Sequence, residues 1–128
     1  MKFHKDGTQP RDDEVFVFGS NLAGVHGAGT AKQALKYGAR YGQGIGLHGR
    51  TFAIPTKDHD IKTLPLEAIK PYVLRFVKVT NQFPSVKFFI TRVGCGLAGY
   101  RDSEMAPLFK GCSVNCSFPE QWETYVRE

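Results

Sequence analysis

The chain has 128 residues, 41% of them hydrophobic, and a formal net charge of +5. That is enough for one domain with an adequate core, and it excludes a membrane-spanning helix, because no apolar run approaches the roughly 18–20 residues a bilayer needs. Three cysteines make an odd count that argues for reduced thiols, and Met1 to Asp6 lacks a signal peptide's apolar core, so a cytosolic chain is expected.

Residues 1–13 show neither helical nor strand period and read as a lead-in with a short edge strand. Val15-Phe16-Val17-Phe18 follows, apolar without alternation, which predicts a strand covered on both faces. Gly19, Ser20 and Asn21 then open a loop that also holds Gly24, Gly27 and Gly29, so main chain can come close to a ligand. A helix follows, with Ala31, Ala34 and Leu35 on one side, Lys32 and Lys36 on the other, and Gly38 at its C-terminal cap. Strand, glycine loop and helix start suit a phosphate or diphosphate; the alternative is a tight turn with no ligand.

The stretch 37–49 is glycine-rich and predicts an exposed, mobile loop that includes His48. Its Gly44, Gly46 and Gly49 fit the dinucleotide spacing, but they precede the strand Thr51–Ile54 instead of following one, so the match is discounted. That strand is expected to end at Pro55, before the polar cluster Thr56-Lys57-Asp58-His59-Asp60. Leu66, Ile69, Val73, Phe76, Val77 and Thr80 have helical spacing, with Pro71 either kinking one helix or opening a second. Val86–Ile90 is a third strand, and Thr91 to Tyr100 repeats the glycine-loop device.

A helix with Asp102 as N-cap is expected through Met105, Leu108 and Phe109, the alternative being a turn, since Pro107 costs one internal bond. Ser113–Cys116 reads as a last short strand, and Ser117 with Glu120 has the capping-box spacing of a terminal helix whose Phe118, Trp122, Tyr125 and Val126 share a side. Cys112 and Cys116 lack further ligands near them in sequence and read as buried thiols, not as half of a zinc site. Alternating strands and helices predict an α/β sheet, largely parallel in its middle, with helices on both faces. The loops 19–29, 56–60 and 91–102 then leave the carboxyl ends of neighbouring strands and line one crevice, suited to a phosphate-containing, nucleotide-like ligand. The basic excess is scattered and forms no aromatic-interleaved stripe, which disfavours a nucleic-acid-binding module.

Asn21 to Gly29 before a helix resembles the first ligand loop of ADP-ribose-binding macrodomains, and Gly94-Cys95-Gly96-Leu97-Ala98-Gly99-Tyr100 resembles their second. Gly27-Ala28-Gly29, the pair Thr56-Lys57 and the run Arg92 to Leu97 look most like the branch that removes terminal ADP-ribose from acidic side chains. The likeness spans residues 15 to 110. It implies a three-layer α/β/α fold with a mixed, centrally parallel sheet, and a site that binds ADP-ribose or an ADP-ribosylated macromolecule. It implies no metal and no cofactor, and nucleic acid only as a modified substrate.

The implied ligand-binding residues are Gly19, Ser20, Asn21, Gly27, Ala28, Gly29 and Thr30 in the first loop and Gly94 to Tyr100 in the second. Lys57 matches the branch's catalytic lysine, the alternative being a lysine paired with Asp58 or Asp60. Its catalytic aspartate is replaced by Ala98, and Asp102, the nearest carboxylate, either substitutes for it or caps its helix. Asn21 would bind the distal ribose or bond its own backbone; Tyr100 would stack on the ribose or close the core. Cys95 reads as a small residue in a main-chain site, and His26 and His59 as exposed loop residues. Asp12 and Asp13 are the candidates for an acid that holds the adenine amino group. Two functions follow from the resemblance: hydrolysis of an ADP-ribosyl linkage, or, because of Ala98, a reader of ADP-ribose-derived signals without turnover.

Overall fold

The computed structural model describes residues 1–127. Strands β1 (Lys2–His4), β2 (Glu14–Asn21), β3 (Gly46–His48), β4 (Thr51–Lys57), β5 (Lys87–Ile90) and β6 (Cys116–Pro119) form one sheet in the order β1-β6-β5-β2-β4-β3. Only β3 runs antiparallel to its neighbour, so the other five strands point their carboxyl ends the same way. The unbroken apolar run of β2 has its predicted cause. Val17 joins Phe52, Ile54, Phe88 and Ile90 in the core of one face, while Phe16 and Phe18 join Ala53 and Phe89 on the other.

Helix α1 (Gly29–Ala34) lays Ala31 and Ala34 on that second face, and a 3-10 turn over Leu35–Tyr37 ends at Gly38, whose φ of 110° makes the cap. The larger core lies under α2 (Leu66–Gln82), α3 (Asp102–Met105) and α4 (Glu123–Val126). Here Phe76 touches the rings of Phe52, Phe88 and Phe109 at centroid distances of 5.0, 5.4 and 6.0 Å. Each such ring removes about 1.5–3 kcal/mol of unfavourable exposure. Pro71 sits on the exposed side of a single α2, where losing its bond to the Glu67 carbonyl disturbs no packing. Cys112 and Cys116 are buried in this core as free thiols, as expected.

Four local expectations change. Strand β4 does not stop at Pro55. The ladder shifts register between Ser20 and Asn21 beside it, which accommodates the missing donor, and the Thr56 hydroxyl bonds the Ser20 carbonyl at 3.2 Å. Asp102 is the first helical residue and not the cap; Arg101 holds that place, its N–H donating to the Glu104 carboxylate at 3.0 Å. The last strand lies three residues later than predicted, so Ser117 is a strand residue whose hydroxyl meets His4 Nδ1 at 2.7 Å, and no side chain caps the short terminal helix. Finally, residues 37–49 include β3 and are pinned to the body of the protein, as the site makes clear.

Candidate functional site

A cleft of about 520 Å³ opens at the carboxyl ends of β2, β4 and β5, and all three predicted loops reach it. Its walls hold Gly19 to Asn21, Val25 and Gly27 to Ala31 from the first loop, Thr56, Lys57 and Ile61 from the second, and Arg92 and Gly94 to Ala98 from the third. Gly27 and Gly96 therefore face one space. Gly99, Tyr100 and Asp102 stand outside the lining.

The first loop is braced from behind by backbone. Asn21 clamps it, Oδ1 accepting the Val25 N–H at 2.9 Å and Nδ2 donating to the Val25 carbonyl at 2.8 Å, the turn-forming alternative for this side chain. The Gly42 N–H donates to the Gly24 carbonyl at 2.9 Å, and the buried Ser20 hydroxyl donates to the Gly44 carbonyl. A Cβ on Gly24 would stand 2.4 Å from the Gly42 carbonyl carbon, so these two stretches pack main chain on main chain. His26 is fully buried, not an exposed loop residue. Its Nε2 bonds the Arg40 carbonyl at 2.7 Å, and its ring meets Phe18 edge-on at 5.6 Å. The glycine-rich segment 37–49 is thus the buttress of the first loop. His59 is exposed, as its sequence context implied.

The second glycine loop is a knot of short turns: Cys95 N–H to Arg92 carbonyl, Gly99 N–H to Gly96 carbonyl and Tyr100 N–H to Gly94 carbonyl at 2.9–3.0 Å. Gly94 has φ +79°, and a Cβ there would stand 2.9 Å from the Met105 sulfur, so a side chain would strain the backbone and displace Met105. Tyr100 fastens the loop from outside by donating its hydroxyl to the Leu64 carbonyl, and Thr63 donates to the Ala98 carbonyl at 3.0 Å. Leu97 reaches toward Gly29, where an added Cβ would meet its Cδ1 at 3.5 Å, so the two loops come close there. Burial pushes the Cys95 thiol up to about 12, which leaves it protonated and unreactive at neutral pH.

Lys57 ends β4 at the cleft wall and makes no ion pair with Asp58 or Asp60 among the described residues. Asp58 is otherwise engaged: its Oδ1 accepts the N–H groups of Asp60 and Lys62 at 2.8 and 3.0 Å, and these bonds, the Lys62 one foremost, hold its carboxyl below the usual range. The turn they make forces Ile61 to φ +62°, a conformation hostile to a β-branched residue, and sets its side chain at the cleft. Ile61→Asn is therefore expected to stabilise the protein by about 1 kcal/mol, read as a higher urea midpoint at unchanged slope.

Asp102 is occupied away from the cleft. Arg92 donates Nε and Nη2 to its two oxygens at 2.9 and 2.8 Å, and the Trp122 indole N–H adds 2.7 Å. Arg92 foremost holds this carboxyl below its ordinary range, and Asp102 in turn raises the guanidinium. Asp6, which sequence reasoning missed, lines the cleft, with its Oδ2 3.5 Å from Arg92 Nη1. Asp13 instead pairs with Lys87 at 2.9 Å, and neither it nor Asp12 lines the cleft. Asp6 follows β1, and the parallel pairing of β1 with β6 carries that strand's end to the site.

The chain matches no family model and no curated protein. Among solved structures it is similar to Thermosipho africanus DarTG in complex with ADP-ribose, with a TM-score of 0.58 and 16% identity over 84% of this chain and 38% of that one. The chain has the three-layer α/β/α macrodomain-like fold, with a mixed sheet that is parallel at its centre. It spans 38% of its neighbour's length, so the likeness concerns one part of that protein.

Proposed function

We propose that the cleft binds ADP-ribose, and that the protein hydrolyses an ADP-ribosyl linkage presented there, in the manner of the macrodomains that remove terminal ADP-ribose. The observation that carries the reading is the convergence of two main-chain cradles, after the adjacent strands β2 and β5, on one cleft with Lys57 at its wall. The bound ADP-ribose of the structural neighbour supports the choice of ligand. The diphosphate lies between the Gly27–Thr30 and Gly94–Ala98 segments, held by backbone N–H groups. The terminal ribose then lies toward Lys57, and the rest of the nucleotide toward Arg92 and Asp6, since β2 separates β4 from β5. Two strand spacings, roughly 10 Å, separate those ends.

In the reaction, the bond from the anomeric carbon to the leaving oxygen breaks as that carbon becomes cation-like, and water adds to it. The Lys57 amine is the group placed to attack or to assist there. Asn21 contributes by fixing the loop at Val25, a positioning role, because its amide is engaged on both sides. Asp102 has the same indirect standing. Lys57→Ala is expected to lower release of ADP-ribose from a glutamyl-ADP-ribosylated peptide at least about 100-fold while calorimetric affinity for ADP-ribose changes only a few-fold. Tight binding by the wild type with no release favours the reader instead, and Ala98 is the observation on its side. If ADP-ribose at millimolar concentration produces neither heat nor a thermal shift, both readings are wrong.

A further inference from the structure

Arg92 lines the cleft but has no part in the chemistry above. We propose that its guanidinium is the platform on which the nucleotide's base lies, and that Asp102 is a positioning residue acting through it; this rests on reading the cleft as an ADP-ribose site. The geometry is that of a cation fixed in its own plane. Its Nε–Nη2 edge is gripped by both oxygens of Asp102 at 2.9 and 2.8 Å. The carboxylate cannot turn, because Oδ1 also takes the indole N–H of Trp122 at 2.7 Å, and that ring is wedged against Phe109 and Phe118 at 5.1 and 6.3 Å.

Asp102 stands outside the cleft lining, whereas Arg92 and Asp6 belong to it. We infer that the gripped edge is turned from the ligand, which leaves the Nη1–Nη2 end, with Asp6 at Nη1, and the flat face of the ion for the cleft. That remainder does not suit a phosphate. A phosphate takes arginine through two parallel N–H bonds; Asp102 already occupies the Nε–Nη2 edge, and at the Nη1–Nη2 end a phosphate would meet the Asp6 carboxylate, 3.5 Å from Nη1. A flat aromatic ring suits it well, since guanidinium stacks on aromatic faces and here loses no side-chain freedom in doing so. The position agrees, for Arg92 follows β5 on the far side of β2 from Lys57, so the first cradle, which follows β2, lies between the platform and the lysine.

The test separates base-bearing from base-free ligands. Wild type, Arg92→Lys, Asp102→Asn and the double variant are titrated calorimetrically with ADP-ribose and AMP, and with ribose 5-phosphate by NMR chemical shift. Arg92→Lys is expected to weaken ADP-ribose and AMP about tenfold each and to leave ribose 5-phosphate unchanged. Asp102→Asn is expected to do the same, with the double variant no weaker than either single one. Trp122→Phe, which keeps the ring and removes the N–H, serves as a milder disturbance of the carboxylate should Asp102→Asn fail to fold. An equal loss for all three ligands means that Arg92 merely holds the loop, and undiminished binding by Arg92→Lys also overturns the assignment. If the wild type does not bind ADP-ribose, the cleft reading falls first and takes this one with it.

Discussion

Gly44→Ala is expected to destabilise the protein by about 3–5 kcal/mol, lowering its melting temperature by roughly 10 °C or more, or to prevent folding. The added Cβ would lie 1.9 Å from the Asn21 carbonyl oxygen and 3.0 Å from its carbon. Neither backbone can retreat. Asn21 is the last residue of β2, paired with Lys57, and its carbonyl already takes the Gly24 N–H at 3.0 Å. Gly44 is also held by the Ser20 hydroxyl on its own carbonyl. Gly46 provides the control. It has φ +84° and nothing within 4 Å of a Cβ, so Gly46→Ala carries only the backbone strain of about 1 kcal/mol. A mobile loop would treat the two alanines alike; a buttress makes Gly44 several times the more costly. Thermal melts of the two variants, with ADP-ribose titrations below their transitions, check this, and equal small losses would return residues 37–49 to the status of a free loop.

What the sequence disclosed, and what it hid, follows from the range of the interactions. The aromatic run of β2 and the helical spacing of Ile69, Val73 and Phe76 are local signals of burial, and each element formed where its pattern placed it. Two similar strand-plus-glycine units implied that their loops would share a crevice, because parallel strands bring their ends to one side; Gly27 and Gly96 do face the same cleft. The larger misses are long-range. Ser117 carries a local capping pattern, but pairing of β6 with β1 and β5 overrode it. Asp6 became a cleft residue only through the pairing of β1 at the far edge of the sheet, invisible in its exposed, charged surroundings. Tyr100 and Asp102 carry groups able to bind a nucleotide, yet their partners, Leu64 and the Arg92–Trp122 pair, lie 36, 10 and 20 residues away. No local pattern announces which way such a side chain turns.

His26 is the sharpest case of that kind, and its removal gives the second large effect. Among glycines and small residues the sequence suggests an exposed loop position, yet the ring is fully buried between Phe18 and Tyr41, at 5.6 Å from each. The Arg40 carbonyl only accepts, so Nε2 is the donor in this bond, while Nδ1 is buried without a partner. His26→Ala empties the space against Phe18 and strands the Arg40 carbonyl, at an expected cost of about 2–4 kcal/mol. His26→Gln, whose amide can reach the same carbonyl, is expected to restore part of that loss. Affinity should fall as well. His26 lies between Val25, where Asn21 clamps the loop, and Gly27, which lines the cleft, so releasing it loosens the first cradle even in molecules that remain folded. Calorimetry with ADP-ribose at a temperature where the alanine variant is fully native isolates this effect from stability. A variant that melts like the wild type would show that the ring does not hold the loop to Arg40; one that melts lower but binds as well would show that the first cradle keeps its shape without it.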